Sequence, residues 1–205
     1  EQFLNEYTKS RSDVKPNTQT VYGRTSKHLI AHFGADRLLS DITPGQADQW
    51  RLYLVNYGLA QNTIGRTCGI ARQFFRAAQR RKLINENPFS ELKSSVGSNK
   101  AREYFLSRQD AEKVIEACPD TQWRLIFSLA RYGGLRTPSE TLLLKWTDIF
   151  WDKHRMLVHS PKTEHHQGGE SRLVPIFPEL YPHLLAAYEE ALPGTEYVIT
   201  RYRKA

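Results

Sequence analysis

Between Gln61 and Ile84 the chain runs without an acidic residue, and over that stretch its apolar side chains recur at three- and four-residue spacings. Placed on a wheel of about 100° per residue, Ile64, Cys68, Ala71, Phe75 and Ala78 fall on one side. Arg66, Gln73 and Arg80 fall opposite, with Asn62 and Arg76 beside them. A segment of this kind folds as a helix with an apolar back and a cationic front. It carries no carboxylates to form i,i+4 ion pairs along its own surface. A segment at 16–33 repeats the pattern, with Tyr22, Leu29, Ile30 and Phe33 inward and Arg24 and Lys27 outward.

Local signals bound further helices. Phe3, Leu4 and Tyr7 mark a short opening helix, and Pro16-Asn17-Thr18 starts a second that ends at Gly34. Thr43 caps a third with Pro44 in its first turn, ending near Gly58. The fourth is predicted over 61–82, stopped by Asn85, Asn87 and Pro88. Residues 89–102 are rich in Ser, Lys and Gly and read as a linker candidate. Beyond it, helices are predicted over about 107–117, 121–132 and 138–145. The period then falls from 3.6 toward 2. Met156 to His159 and Arg172 to Ile176 read as two strands joined by a long polar loop, and a helix follows from Pro178 to Leu192. Tyr197-Val198-Ile199 begins a candidate further strand. The four tryptophans, Trp50, Trp123, Trp146 and Trp151, are expected as core anchors.

Charge divides the chain in the same place. Residues 1–102 hold 16 Lys and Arg against 8 Asp and Glu, whereas residues 103–205 hold 13 against 14. The entire basic surplus lies in the first half, which points that half toward a polyanion and makes double-stranded DNA the expected partner. Arg24, Lys27, Asn62, Arg66, Arg76 and Arg80 are the candidate DNA-binding residues. Cations neutralise the backbone, and Arg or Asn can reach base edges. No apolar run approaches 18 residues, so no membrane partner is expected. Two cysteines, Cys68 and Cys118, are too few for a disulfide framework or a cysteine zinc site and suit a reducing cytoplasmic setting. His154, His159, His165 and His166 match no zinc spacing, and the adjacent pair is read as part of a polar loop.

The stretch from Ala130 to Ile149 carries the chemistry. A helix ends at Gly133-Gly134, and Arg136 follows at the predicted mouth of the next helix, where free backbone N–H groups and a guanidinium fork suit an anion. On these residues alone, phosphate binding and a structural arginine are equally good readings.

Gly134-Leu135-Arg136, Ser139-Glu140, Leu142 to Leu144 and Trp146-Thr-Asp148-Ile149 together resemble the first catalytic box of the tyrosine recombinases, or phage integrases. Ser160-Pro161-Lys162-Thr163 ahead of Arg172-Leu-Val-Pro175-Ile176 resembles the family's lysine turn. Thr63-Ile-x-Arg66 with Phe74-Phe-x-Ala-Ala78 and Asn87-Pro-Phe89 is similar to its core-binding domain. The family places its Glu three residues after the Arg; here the spacing is four, with Thr137-Pro138 read as a one-residue insertion.

The resemblance implies a mainly α fold with a small antiparallel β-sheet. A four-helix, SAM-like core-binding domain would occupy 1–95, a linker 96–102, and the first half of an α+β integrase catalytic domain 103–205. It implies site-specific cleavage and rejoining of DNA through a phosphotyrosine intermediate, with Arg136 stabilising phosphoryl charge and Lys162 as general acid. No metal or nucleotide cofactor is required by that scheme. It further implies self-association on DNA and a cytoplasmic, nucleoid-associated prokaryotic setting. The family's His-x-x-Arg box and nucleophilic Tyr have no match here. The expectation is a recombinase cut within its catalytic domain, with Tyr197 and Tyr202 structural. A non-catalytic DNA-binding module is the alternative, and type IB topoisomerases are a related but less favoured class.

Overall fold

The computed structural model describes every residue except Asn99, His165, Lys204 and Ala205, and every side chain among those described except that of Arg102. The chain divides into two compact units, Glu1–Glu103 and Tyr104–Ala205.

The first unit is built from four helices: α1 (Gln2–Ser10), α2 (Pro16–Phe33), α3 (Pro44–Asn56) and α4 (Gln61–Arg80). Their ends follow local chemistry. Pro16 and Pro44 occupy first turns, and Thr43 forms a full capping box with Gln46 at α3. Gly34 closes α2 at φ +89°, a backbone conformation that favours glycine. The apolar backs meet in one core around Trp50, Leu54, Ile64, Phe74, Phe75 and Phe89. The Trp50 indole donates to the His28 carbonyl at 3.2 Å, so its one polar group is satisfied.

The polar stretch after α4 does not behave as a free linker throughout. Phe89 and Leu92 are buried in the first core. Arg72 donates to the carbonyls of Phe89, at 3.0 Å, and Leu92. Asn62 binds both backbone groups of Gly97, donating at 2.7 Å and accepting at 3.1 Å. Residues 89–97 are therefore docked on α4, and the linker expectation is corrected over that span. The docking needs Gly65, because a Cβ there would lie 2.6 Å from the Ser95 carbonyl oxygen. Gly65→Ala is expected to displace residues 94–97, lower the stability of this unit by about 1–3 kcal/mol and speed tryptic cleavage after Lys93. Unfolding and cleavage kinetics equal to those of the parent chain would show that the segment is not held there.

The second unit places α5 (Arg108–Ala117), α6 (Thr121–Arg131) and α7 (Tyr181–Glu189) around a small sheet. Strands β1 (Ile149–Phe150), β2 (Arg155–His159) and β3 (Ser171–Pro175) are antiparallel in the order β1-β2-β3. Side chains alternate across the pleat, so Met156, Val158 and Val174 enter a core shared with Leu125, Leu129 and Leu184. The mainly helical chain with a three-stranded antiparallel sheet matches the fold class expected from the sequence.

Several boundaries move. No α-helix forms over 138–145. Glu140 and Thr141 both donate to the Arg136 carbonyl, Leu142 to Pro138 and Leu143 to Glu140, a run of mixed turns. Helix α4 stops at Arg80, and α7 is shorter than Pro178 to Leu192. Tyr197 makes a single bridge to Lys145 instead of starting a strand. Trp123 is not a core anchor: it is exposed and stacks against Tyr202 at 5.2 Å between centroids.

Candidate active site and basic faces

The site is assembled by two glycines, a run of turns and a strand. Helix α6 is followed two residues on by Gly133, which is buried so tightly that a Cβ would come within 2.8 Å of the Leu129 carbonyl oxygen. Gly134 follows at φ +64° and turns the chain toward Arg136. The turns over 137–143 then bring Glu140 back beneath Arg136. The Glu140 side chain is 0% exposed.

Four groups converge on this buried carboxylate. The Arg136 backbone N–H donates to Oε2 at 2.9 Å, and Arg136 Nη1 donates to Oε1 at 2.6 Å. Arg172 forms a fork, Nη1 to Oε1 at 3.0 Å and Nη2 to Oε2 at 2.8 Å. The Ser160 hydroxyl donates to Oε1 at 3.1 Å while its oxygen accepts from Arg172 Nη1 at 2.7 Å. Arg172 Nη2 also reaches the Gly134 carbonyl at 3.2 Å. Burial by itself favours a neutral carboxyl. The hydrogen bonds from Arg172, from the Arg136 backbone and side chain, and from Ser160 outweigh it and hold Glu140 down at about 2. The same pairing with Glu140 raises the Arg172 guanidinium above its ordinary value.

The result is one anion fixed between two cations, with a net positive charge facing outward. Arg136 is 47% exposed and Arg172 37% exposed. Both line an open cavity of about 430 Å³, walled also by Gly134, Ser160, Thr163, Gly168, Gly169 and Ser171. Among the described residues, Nε and Nη2 of Arg136 have no partner. Arg136, half-exposed at the rim, can offer its remaining N–H donors to a phosphoryl group, while Arg172, whose Nη hydrogens go to Glu140, Ser160 and Gly134, holds the carboxylate in place and adds its charge.

The expected anion site at a helix mouth is thus corrected. Arg136 is followed by turns, and its backbone N–H is spent on Glu140. The four-residue spacing nevertheless closes an Arg136–Glu140 ion pair. Lys162 is exposed on the loop between β2 and β3 and is absent from the cavity wall. That loop is tied across itself by Thr163 Oγ1, which donates to the Gly169 carbonyl at 2.7 Å. Sequence reasoning missed Arg172 as a site residue. Its signal was its place two residues before Val174 on the inward face of β3, an arginine among core positions.

Tyr197 and Tyr202 are engaged elsewhere. Arg203 lies over the Tyr197 ring at 3.3 Å. The Tyr202 hydroxyl donates to Asp120 at 2.6 Å, which raises that hydroxyl above its usual range. No group of three or more metal-ligating side chains forms among the described residues. His165, one of the loop histidines, lies outside them.

On the first unit, Arg24 and Lys27 of α2 and Arg66, Arg76 and Arg80 of α4 are exposed, on the faces read from the wheel. Two assignments on α4 are corrected. The Asn62 carboxamide, read as lying beside the cationic front, is bonded to both backbone groups of Gly97. Gln73 is half-buried, bonded to the hydroxyls of Tyr7 at 2.9 Å and Tyr22 at 2.8 Å. No helix among the described residues is long and apolar enough to cross a membrane.

Comparison with known proteins adds three findings. The family model described as phage integrase SAM-like domain matches residues 1–96. The tyrosine recombinase XerC of Pelotomaculum thermopropionicum is 31% identical over 157 residues, 70% of this chain and 50% of that protein. A putative tyrosine recombinase XerC of Pseudomonas aeruginosa is 23% identical over 197 residues, covering 87% of this chain and 45% of that one. The chain thus spans about half the length of these curated relatives. Among solved structures, a lambda integrase (75–356) dimer bound to a COC′ core site aligns with a TM-score of 0.78 at 20% identity. The alignment covers 98% of this chain and 73% of that one. The Tn1549 transposon integrase in complex with a circular intermediate DNA aligns at 0.72 and 20% identity, with 98% and 68% coverage.

Proposed function

We propose that this chain is a tyrosine recombinase and that it serves in site-specific DNA recombination, cleaving and rejoining strands through a phosphotyrosine intermediate. The observation that carries the reading is the buried Glu140 carboxylate holding two guanidiniums at the rim of an open cavity.

In such a reaction a tyrosine oxygen attacks phosphorus and the bond to the 5′-oxygen breaks. Charge grows on the non-bridging oxygens, and Arg136, already fixed at one nitrogen, offers donors to them without reorganising. The departing 5′-oxygen needs a proton, which Lys162 supplies as general acid. The phosphotyrosine ester keeps the bond energy, so rejoining is the reverse attack by a 5′-hydroxyl. Two units organise this work: residues 1–97, with the stretch docked on α4, as the core-binding domain, and residues 103–205 as catalytic-domain sequence, joined through residues 98–102. Arg24, Lys27, Arg66, Arg76 and Arg80 supply phosphate contacts to duplex DNA.

Solved lambda integrase assemblies include a dimer on a core site and a tetramer bound to a Holliday junction. They support self-association of the present protein on DNA. Genomic DNA as substrate places it within the cell, at the nucleoid.

The test is covalent capture. Duplexes selected from a randomised pool by binding to the protein are nicked near each candidate phosphate, so that cleavage releases a short strand and cannot reverse. With a protein that carries these residues together with a tyrosine nucleophile, an adduct that survives denaturation and carries phosphotyrosine is the expected result; residues 1–205 by themselves, with Tyr197 under Arg203 and Tyr202 bonded to Asp120, are expected to form none. Tight, specific binding with no adduct on any nicked duplex would leave a binding module without chemistry.

A further inference from the structure

The turns that carry Glu140 are held at their far end by a distant part of the chain. A continuous helix through Trp146 would spend the Leu142 carbonyl on the Trp146 N–H. Trp146 instead donates to the Glu196 carbonyl at 3.0 Å, and the Val198 N–H donates to the Leu144 carbonyl at 3.0 Å. Lys145 and Tyr197 thereby pair as an antiparallel bridge, reinforced by a 2.8 Å ion pair between Lys145 and Glu196. The Leu142 carbonyl, left over by the broken helix, accepts from Arg203 Nη1.

Arg203 is itself well seated. Its guanidinium carbon lies 3.3 Å from the centroid of the Tyr197 ring, which Lys145 Nζ also approaches, at 5.5 Å. A planar guanidinium stacked on an aromatic face gives up little freedom when it donates, so it can cap a carbonyl at a fixed place. The arm that carries it is docked in turn. Val198 and Ile199 are buried in the core of this unit. Gln122 Oε1 accepts from the N–H groups of Thr200 and Arg201, at 3.0 and 2.8 Å, and Asp120 accepts from the Arg201 side chain and the Tyr202 hydroxyl. Leu142 lies two residues beyond Glu140. The cap therefore acts on the turns in which the Glu140 and Thr141 amides donate to the Arg136 carbonyl.

We propose that Arg203 is a positioning residue for Arg136: capping Leu142 while stacked on Tyr197, it clamps the far end of the turns that hold Glu140 beneath the site guanidinium. Arg203 touches no reacting atom. It acts through Leu142, the turns and the Glu140 carboxylate, and with the clamp removed the Arg136 fork is no longer held in one orientation. The proposal deepens the reading of Arg136 as the phosphoryl ligand and rests on it.

The test uses residues 1–205 at constant ionic strength, with two readouts. One is the hydrogen exchange of the Arg136, Glu140 and Thr141 amides. The other is the affinity for inorganic phosphate, followed at the Arg136 Nε–H signal. Arg203→Gln is expected to speed exchange at these amides by about three- to thirtyfold and to weaken phosphate by a similar factor. Tyr197→Leu removes the stacking surface, leaves every charge in place and should move both readouts in the same direction. It also carries the comparison if Arg203→Gln fails to fold. Arg203→Lys keeps a donor and a cation and should recover most of both. Arg201→Gln is an equal loss of charge from the same arm, on a side chain bonded to Asp120, and should change neither. Unchanged phosphate affinity in Arg203→Gln, whatever its stability, overturns the proposal. Equal effects of Arg203→Gln and Arg201→Gln overturn it too, by assigning the change to charge alone. If the parent chain binds no phosphate at Arg136, the reading of Arg136 as phosphoryl ligand fails by itself. The exchange comparison alone then judges the clamp, and unchanged exchange of the Arg136 amide overturns it.

Discussion

Arg136→Ala is expected to lower the rate of covalent adduct formation by about a hundred- to a thousand-fold, the effect of removing one preorganised donor from a phosphoryl transition state. The side chain is half-exposed, whereas its anchor, Glu140, is fully buried. Its loss therefore removes a ligand-facing group and leaves Glu140 still forked by Arg172. Arg136→Lys keeps the charge but loses the planar fork, so it should recover only part of the rate. Lys162 gives the complementary contrast. Lys162→Ala should slow an ordinary phosphodiester substrate by about a hundredfold or more. It should be nearly silent when the bridging 5′-oxygen is replaced by sulfur, a leaving group that departs without a proton. Equal losses on both substrates would remove Lys162 from the general-acid role, and normal cleavage by Arg136→Ala would remove Arg136 from the site.

What could be read from the sequence was whatever is decided locally. Thr43 with Gln46, Pro16 and Pro44 fix helix starts within a few residues, and the acid-free stretch from Gln61 fixes both faces of α4. Arg136 was legible because Gly133-Gly134 precede it and the motif that follows it resembles a known catalytic box. Three features were illegible because distant partners decide them. Residues 89–97 have linker composition, yet Phe89 and Leu92 are anchored in the core and the backbone settles against Gly65. A glycine inside a helix was the available signal for that close approach. Residues 138–145 have helix-forming side chains. There the Glu140 carboxylate takes the Arg136 N–H and the Arg172 guanidinium, a tertiary contact worth more than continuing a regular helix. Arg172 was read as an ordinary strand residue because its partner lies 32 positions away.

That long-range contact makes stability depend on pH in a defined direction. Glu140 falls from an ordinary 4.5 to about 2 in the folded chain. The folded state thus binds this proton more weakly than the unfolded state. The stability that Glu140 contributes is complete above about pH 4.5 and is lost as pH falls toward about 2, a total of about 3 kcal/mol. Arg172→Met removes the fork and leaves a buried carboxylate held by Arg136 and Ser160 alone. At pH 7 the variant should be destabilised by about 3 kcal/mol, the scale for breaking a buried pair from one side. Toward pH 2 the parent loses the same interaction, so the two stability curves should converge. Glu140→Gln should flatten the acid dependence as well, because no proton is left to bind. Hydrogen exchange of the β2 and β3 amides reads this unit without interference from the helical one. A gap between parent and Arg172→Met that stays constant from pH 7 to pH 3 would mean that Arg172 packs beside Glu140 without stabilising its charge. The guanidinium of Arg136 would then be held by its own contacts, with no contribution from a charge cluster beneath it.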